Sequence, residues 1–194
     1  KFHPAMRYVS TARKQLGIRT AFNLLGPLSN PAGVKNQLIG VFSIDFLDRL
    51  PVLLKRKGAQ NIMTVRSDDG MDEFSTSATN RVCILRKDKV LMNAIDPEVV
   101  GLHKSSLKDI QIESKKDAMD SFVGVLNNTA NQAMIETTAL NAAGGLIVAG
   151  IADNFEQGVE IALNTIKDGK AFSLLEKFVA DTGDISKLKE ITDG

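Results

Sequence analysis

Four carboxylates crowd into the stretch from Asp68 to Glu73: Asp68, Asp69, Asp72 and Glu73, with Gly70 breaking the run. They follow closely on Asn61–Val65 (NIMTV), an apolar run that reads as a strand. In open α/β sheets, ligands bind beyond the carboxyl ends of the strands. Hard oxygen donors placed there suit Mg²⁺, which keeps several waters and completes its shell with substrate phosphates. The adjacent Asp72 and Glu73 could share one or two such ions. The same residues also suit a solvated acidic turn in which Asp72 caps a short helix, and pattern alone leaves both readings open.

The complementary charges lie upstream. Arg13 and Arg19 lie within the segment RKQLGIRTAFNLLGPLSN, which runs from Arg13 to Asn30. Gly26-Pro27 ends its apolar run, and Pro31 follows shortly after. Proline fixes φ and removes an N–H, so residues 24–33 are expected to form a stiff loop outside regular structure. Two arginines beside such a loop could clamp a carboxylate or a phosphate, or simply be surface cations at a helix end. The chain has two histidines, His3 and His103. His3 is as compatible with a packed or surface role as with a catalytic one, and His103 receives no role. Cys83, the single cysteine, excludes an intrachain disulfide and sits in an alternating apolar run as a small core residue.

The elements that must position these groups are read from periodicity. Asn36–Ser43 (NQLIGVFS) predicts a buried strand with Gly40 inside it. Asp45–Lys57 carries apolar residues at helical spacing, with Pro51 forcing a kink or a new start. With the strand at Asn61 this makes a βαβ unit, hence parallel pairing and a right-handed crossover. Arg81–Lys87 and Lys89–Ile95 predict a hairpin turning at Asp88, which adds an antiparallel element. Asp96–Leu102 reads as a turn or short helix from Pro97, and Ser106–Glu113 as extended. Helices are expected at Val9–Leu16, Lys115–Leu126, Asn131–Ala149, Asn154–Lys167, Lys170–Asp181 and Ile185–Ile191. Gly144-Gly145 weakens the long Ala-rich helix, which is tolerable where another element or a ligand approaches its backbone closely. Lys170–Asp181 reads as amphipathic, with Phe172, Leu174, Leu175, Phe178 and Val179 as its apolar face. The class is α/β: a mixed, partly parallel sheet flanked by helices.

The 194 residues, 43% of them hydrophobic, suffice for one domain with a sizeable core. The balance of 24 basic against 23 acidic residues gives no broad footprint for nucleic acid or an anionic membrane. Any anion affinity must therefore be local. The longest nearly apolar stretch, Ala139 to Ala152, is too short to span a bilayer.

HPAM at His3–Met6, LGIRTAFNLLGPLSNPA at Leu16–Ala32, DGMDE at Asp69–Glu73 and NAAGGL at Asn141–Leu146 together resemble the anthranilate phosphoribosyltransferase family. The resemblance covers the whole chain, and the NLLGPLSNP block is its most specific part. It implies a nucleoside phosphorylase/phosphoribosyltransferase-like fold. It also implies transfer of phosphoribose from phosphoribosyl diphosphate to anthranilate, in tryptophan biosynthesis, by a cytoplasmic homodimer. By the same resemblance Asp72 and Glu73 hold Mg²⁺ on the diphosphate, while His3, Arg13 and Pro27 line the anthranilate site. The family's helical domain, glycine-rich phosphate loop and lysine-bearing HGN motif lie upstream of HPAM. Residues 1–194 are therefore expected to be the C-terminal part of the α/β domain, cut from a longer polypeptide and inactive alone. The NLLGPLSNP and DGMDE blocks also resemble pyrimidine nucleoside phosphorylases, a reading disfavoured by HPAM. A non-catalytic nucleic-acid-binding relative is disfavoured by the charge balance and the intact acidic pair.

Overall fold

The computed structural model describes Gln15 and residues 26–192. Four strands form one mixed sheet in the order β1-β2-β3-β4: β1 Asn36–Gly40, β2 Asn61–Ser67, β3 Asn80–Arg86 and β4 Lys89–Ile95. β1 and β2 run parallel, with Asn36 opposite Asn61 and Gly40 opposite Val65. The crossover between them is α1, Arg49–Arg56, preceded by a short 3₁₀ turn at Ile44–Phe46. Pro51 lies in the first turn of α1, where its missing N–H costs no intrahelical bond, so the helix starts anew rather than kinking. β2–β3 and β3–β4 are antiparallel. The last pair closes on Lys87 and Asp88, both at positive φ (49° and 65°), the two-residue turn whose twist matches a hairpin.

β2 is buried on both faces. Ile62 packs toward α1 with Leu50, Leu54, Cys83 and Leu85. Met63 and Val65 face the opposite way and join Phe74, Val82 and Leu140. That second core is covered by α3, Gln132–Ala149, and α4, Phe155–Lys167. Thr64, fully buried on the α1 side, gives its hydroxyl proton to the Leu47 carbonyl. Gly158 brings α4 onto α3, because a Cβ there would sit 2.8 Å from that of Ala143.

Side-chain caps open three of the helices. Ser114 accepts from the Asp117 N–H ahead of α2, Lys115–Leu126, and Asn131 and Asn154 do the same for α3 and α4. α5 is Lys170–Thr182 and α6 is Ile185–Thr192. No helix among the described residues is long and apolar enough to cross a membrane.

Several expectations are corrected. Residues 26–28 are helical, so the described part of the expected loop turns irregular only at Ser29; proline's fixed φ is itself a helical value. Ser106–Glu113 is not extended: Leu107–Ile110 is a 3₁₀ turn closed by reciprocal bonds between Ser106 and Asp109. The amphipathic helix α5 forms as read, but none of its residues is buried, and Leu174 and Phe178 are 68% and 62% exposed. β1 ends at Gly40, short of Ser43. The expected helix at Val9–Leu16 lies outside the described residues, apart from Gln15, which is helical.

Candidate metal and diphosphate site

The acidic stretch leaves the carboxyl end of β2, as the strand assignment requires. Its four carboxylates are not equivalent. Asp68 is turned to Arg81 on β3, which reaches both its oxygens at 2.9–3.1 Å in an exposed fork. Asp69 is consumed by the loop itself. Its Oδ1 accepts the Met71 N–H at 2.9 Å, and its Oδ2 accepts the Ser77 hydroxyl. Burial alone would raise its pKa, but the donors from Ser75, Ser77 and Met71 outweigh it and hold the carboxyl below its usual range. The buried Ser67 hydroxyl lies close enough to lower it further, although it makes no hydrogen bond of regular geometry.

Asp72 and Glu73 are different. Both are exposed, and neither takes part in a salt bridge of the described residues. Glu73 is pushed above the usual carboxylate range, first by partial burial and then by the negative charges of Asp72 and Asp69. Two adjacent carboxylates that repel one another and face solvent match the hard, anionic donor set of Mg²⁺. No cluster of three or more ligating side chains occurs among the described residues. A metal here would draw its remaining ligands from water and phosphate, as Mg²⁺ commonly does. A cavity of about 280 Å³ opens beside Glu73, lined by Met71, Ile110, Ile112, Phe122 and Met134 among others.

The loop bearing the pair is tied to the scaffold at each step. The Arg66 guanidinium bridges the carbonyls of Phe42 (2.9 Å) and Gly70 (3.3 Å). Gly40, at the end of β1, lies directly under the Asp72 carbonyl; an added Cβ would fall 1.4 Å from that oxygen. Glycine is required here for space, since no side chain fits between β1 and the loop. Beyond the pair, Phe74 is fully buried and its backbone is bonded to Asn141 of α3. Asn80, also fully buried, accepts the Ser75 N–H at 2.8 Å and donates to the Ser75 carbonyl at 2.9 Å, stapling the far end of the loop. Behind it, the Thr76 hydroxyl meets those of Thr137 (2.6 Å) and Ser105 (2.8 Å).

Of the residues singled out in the sequence, Asp72 and Glu73 stand together at the predicted strand end. Pro27 is half-buried in the helical residues 26–28. His3 and Arg13 lie outside the described residues, as does Arg19. His103 belongs to a separate cluster: its backbone N–H and Nδ1 lie 2.7 and 2.8 Å from the buried Glu136, which also accepts from Gln132. Gly40, Asn80 and Asn141 were not anticipated as parts of the site. The signals for Gly40 and Asn141 were present, in a glycine inside a strand and an asparagine opening NAAGG.

Cys83 is confirmed as a core residue. Burial, followed by the nearby Asp48 charge, pushes its thiol up to about 11 from an ordinary value of 9.0. Native protein at pH 8 is therefore expected to resist alkylation by iodoacetamide and to react only on unfolding, which mass spectrometry would read directly. The folded state holds this proton more tightly than the unfolded one. The resulting stability is present below pH 9.0 and is lost as pH rises toward 11.

The a/b domain of a glycosyl transferase family matches residues 1–172. The anthranilate phosphoribosyltransferase of Nitrosopumilus maritimus (strain SCM1) is 86% identical over 194 residues, 100% of this chain and 56% of that protein. The anthranilate phosphoribosyltransferase structure from Thermus thermophilus superposes with a TM-score of 0.82 at 35% identity, covering 92% of this chain and 52% of that one. The Saccharomyces cerevisiae structure in complex with PRPP and Mg has a TM-score of 0.75 at 25% identity, over 90% and 50% of the two chains. The chain thus spans about half the length of the relatives it matches.

Proposed function

Since this chain belongs to the glycosyl transferase family defined by that a/b domain, we propose that it forms the metal-diphosphate portion of an anthranilate phosphoribosyltransferase acting in tryptophan biosynthesis. The observation that carries this reading is the exposed Asp72–Glu73 pair, held on a braced loop beyond the carboxyl end of β2.

The reaction joins the anthranilate nitrogen to the anomeric carbon of phosphoribosyl diphosphate. The bond from that carbon to the diphosphate oxygen breaks, the nitrogen sheds one proton, and diphosphate leaves with inversion. Positive charge develops on the ribose while negative charge gathers on the departing diphosphate. The protein's task is then positioning and electrostatic stabilisation. Asp72 and Glu73 would hold Mg²⁺, which when bound supplies charge neutralisation on the diphosphate. The ties from Arg66 and Gly40 hold those carboxylates in place before substrate arrives. On the acceptor side, Arg13 would orient the anthranilate carboxylate as a planar guanidinium can, with His3 and Pro27 shaping the pocket.

The test incubates the enzyme carrying this chain with anthranilate, phosphoribosyl diphosphate and Mg²⁺. Anthranilate fluorescence should fall, and omission of any one component should stop the change. Unchanged fluorescence with all three present overturns the assignment and makes a pyrimidine nucleoside with phosphate the next substrate to try.

A further inference from the structure

We infer that Asn141 is a positioning residue for the acidic pair, fixing the backbone immediately after Glu73 and thereby the place from which that carboxylate is offered. The carboxamide does for Phe74 what a neighbouring strand would do. Its Oδ1 accepts the Phe74 N–H at 3.0 Å and its Nδ2 donates to the Phe74 carbonyl at 2.7 Å. The second Nδ2 proton goes to the Thr137 carbonyl one turn back in α3, at 2.9 Å, which locks the side chain in this orientation. Both Asn141 donors are thus used, two of the three bonds going to one residue of the site loop.

One turn further along α3, Gly144 leaves room for the Phe74 ring. A Cβ there would stand 2.7 Å from Phe74 Cε2. Asn141 and Gly144 share a helix face, so that face is cut to receive Phe74, backbone and ring together. On the other side of the pair, Gly40 receives the Asp72 carbonyl. Glu73 therefore sits between two fixed points, one residue away on either side. Only its side chain keeps freedom, while its backbone is set by β1 and α3. Misplacing a catalytic group by about 1 Å can cost about 10²-fold, so a tie this close to the carboxylate matters for metal geometry as well as for folding. Gly145, by contrast, has nothing within 4 Å, and no role follows for it.

This inference rests on the metal-binding reading of Asp72 and Glu73, and the experiment separates the two. Mn²⁺ is used as the probe, its free concentration followed by electron paramagnetic resonance in the presence of phosphoribosyl diphosphate, alongside thermal denaturation. Asn141→Ala is expected to weaken Mn²⁺ binding at least about tenfold. Asn141→Ser, a milder lesion, should weaken it less but measurably. Leu188→Ala, at a buried position of α6 that takes no part in the ties of the acidic loop described above, should lower thermal stability with Mn²⁺ affinity unchanged. If Asn141→Ala does not fold, Asn141→Ser decides alone. Asn141 variants that lose stability but bind Mn²⁺ like the wild type would overturn the inference and leave Asn141 as a folding residue only. If the Asp72→Asn, Glu73→Gln double variant also binds like the wild type, the metal reading falls and this inference falls with it.

Discussion

Changing Asp72 to Asn and Glu73 to Gln together is expected to abolish anthranilate consumption by the enzyme while leaving its fold intact. Both substitutions keep shape and remove charge. Removing a preorganised electrostatic group of this kind typically costs about 10²–10³-fold in rate. Losing both carboxylates should exceed that, because the other two acids of the described loop are already engaged. Asp68 is held by Arg81, and Asp69 is bound into its own loop. The second half of the prediction concerns stability. Glu73 is raised in the folded state by burial and then by Asp72 and Asp69, so its ionised form opposes folding at neutral pH. The double variant should accordingly unfold at the same temperature as the wild type or slightly higher. Lost activity with a sharply lower melting temperature would instead make the pair structural. Retained activity would place the metal elsewhere.

Gly40→Ala is expected to be the most damaging single methyl addition in the described part of the chain. The new Cβ would lie 1.4 Å from the Asp72 carbonyl oxygen and 2.6 Å from its carbon. The obstacle is backbone, which cannot rotate away as a side chain could, so either β1 or the acidic loop must move. Overpacking usually costs about 1–3 kcal/mol, and a clash with main chain belongs at the upper end of that range or above it. Urea denaturation should show a loss of about 3 kcal/mol, and the surviving folded protein should need more Mg²⁺ for half-maximal activity. Gly144→Ala makes a useful comparison, since its clash is with the Phe74 ring and can be relieved by a ring shift. A Gly40→Ala protein with wild-type stability would show that the loop does not rest on β1 as described.

The pattern of the chain carried most of the fold because the signals were local. Gly58 follows the end of α1, capping residues precede α2, α3 and α4, and the Lys87-Asp88 turn sits between two strand-like runs, all legible without tertiary information. Local reading stops short where burial decides. The apolar stripe of α5 has the spacing of a buried face, yet Leu174 and Phe178 remain exposed, because periodicity states which residues share a face and not whether anything covers it. It also misread Ser106–Asp109, where two side-chain bonds create a 3₁₀ turn that no apolar period announces.

For the site, the sequence by itself supplied the candidates: which carboxylates are available, that they follow a strand, and, through the resemblance of the motifs, what they are proposed to bind. What only the tertiary structure decided is the division of labour among them. Asp68 to Glu73 are four similar acids in one short stretch, and their types cannot say which are spent on structure. Arg81, thirteen residues from Asp68, takes that carboxylate, and Asn141, sixty-seven from Phe74, fixes the backbone after Glu73; Asp72 and Glu73 are left outside every salt bridge of the described residues. Hydrogen bonds between residues so far apart are set by how strands and helices stack, a global property of the chain's packing that no short window of sequence contains.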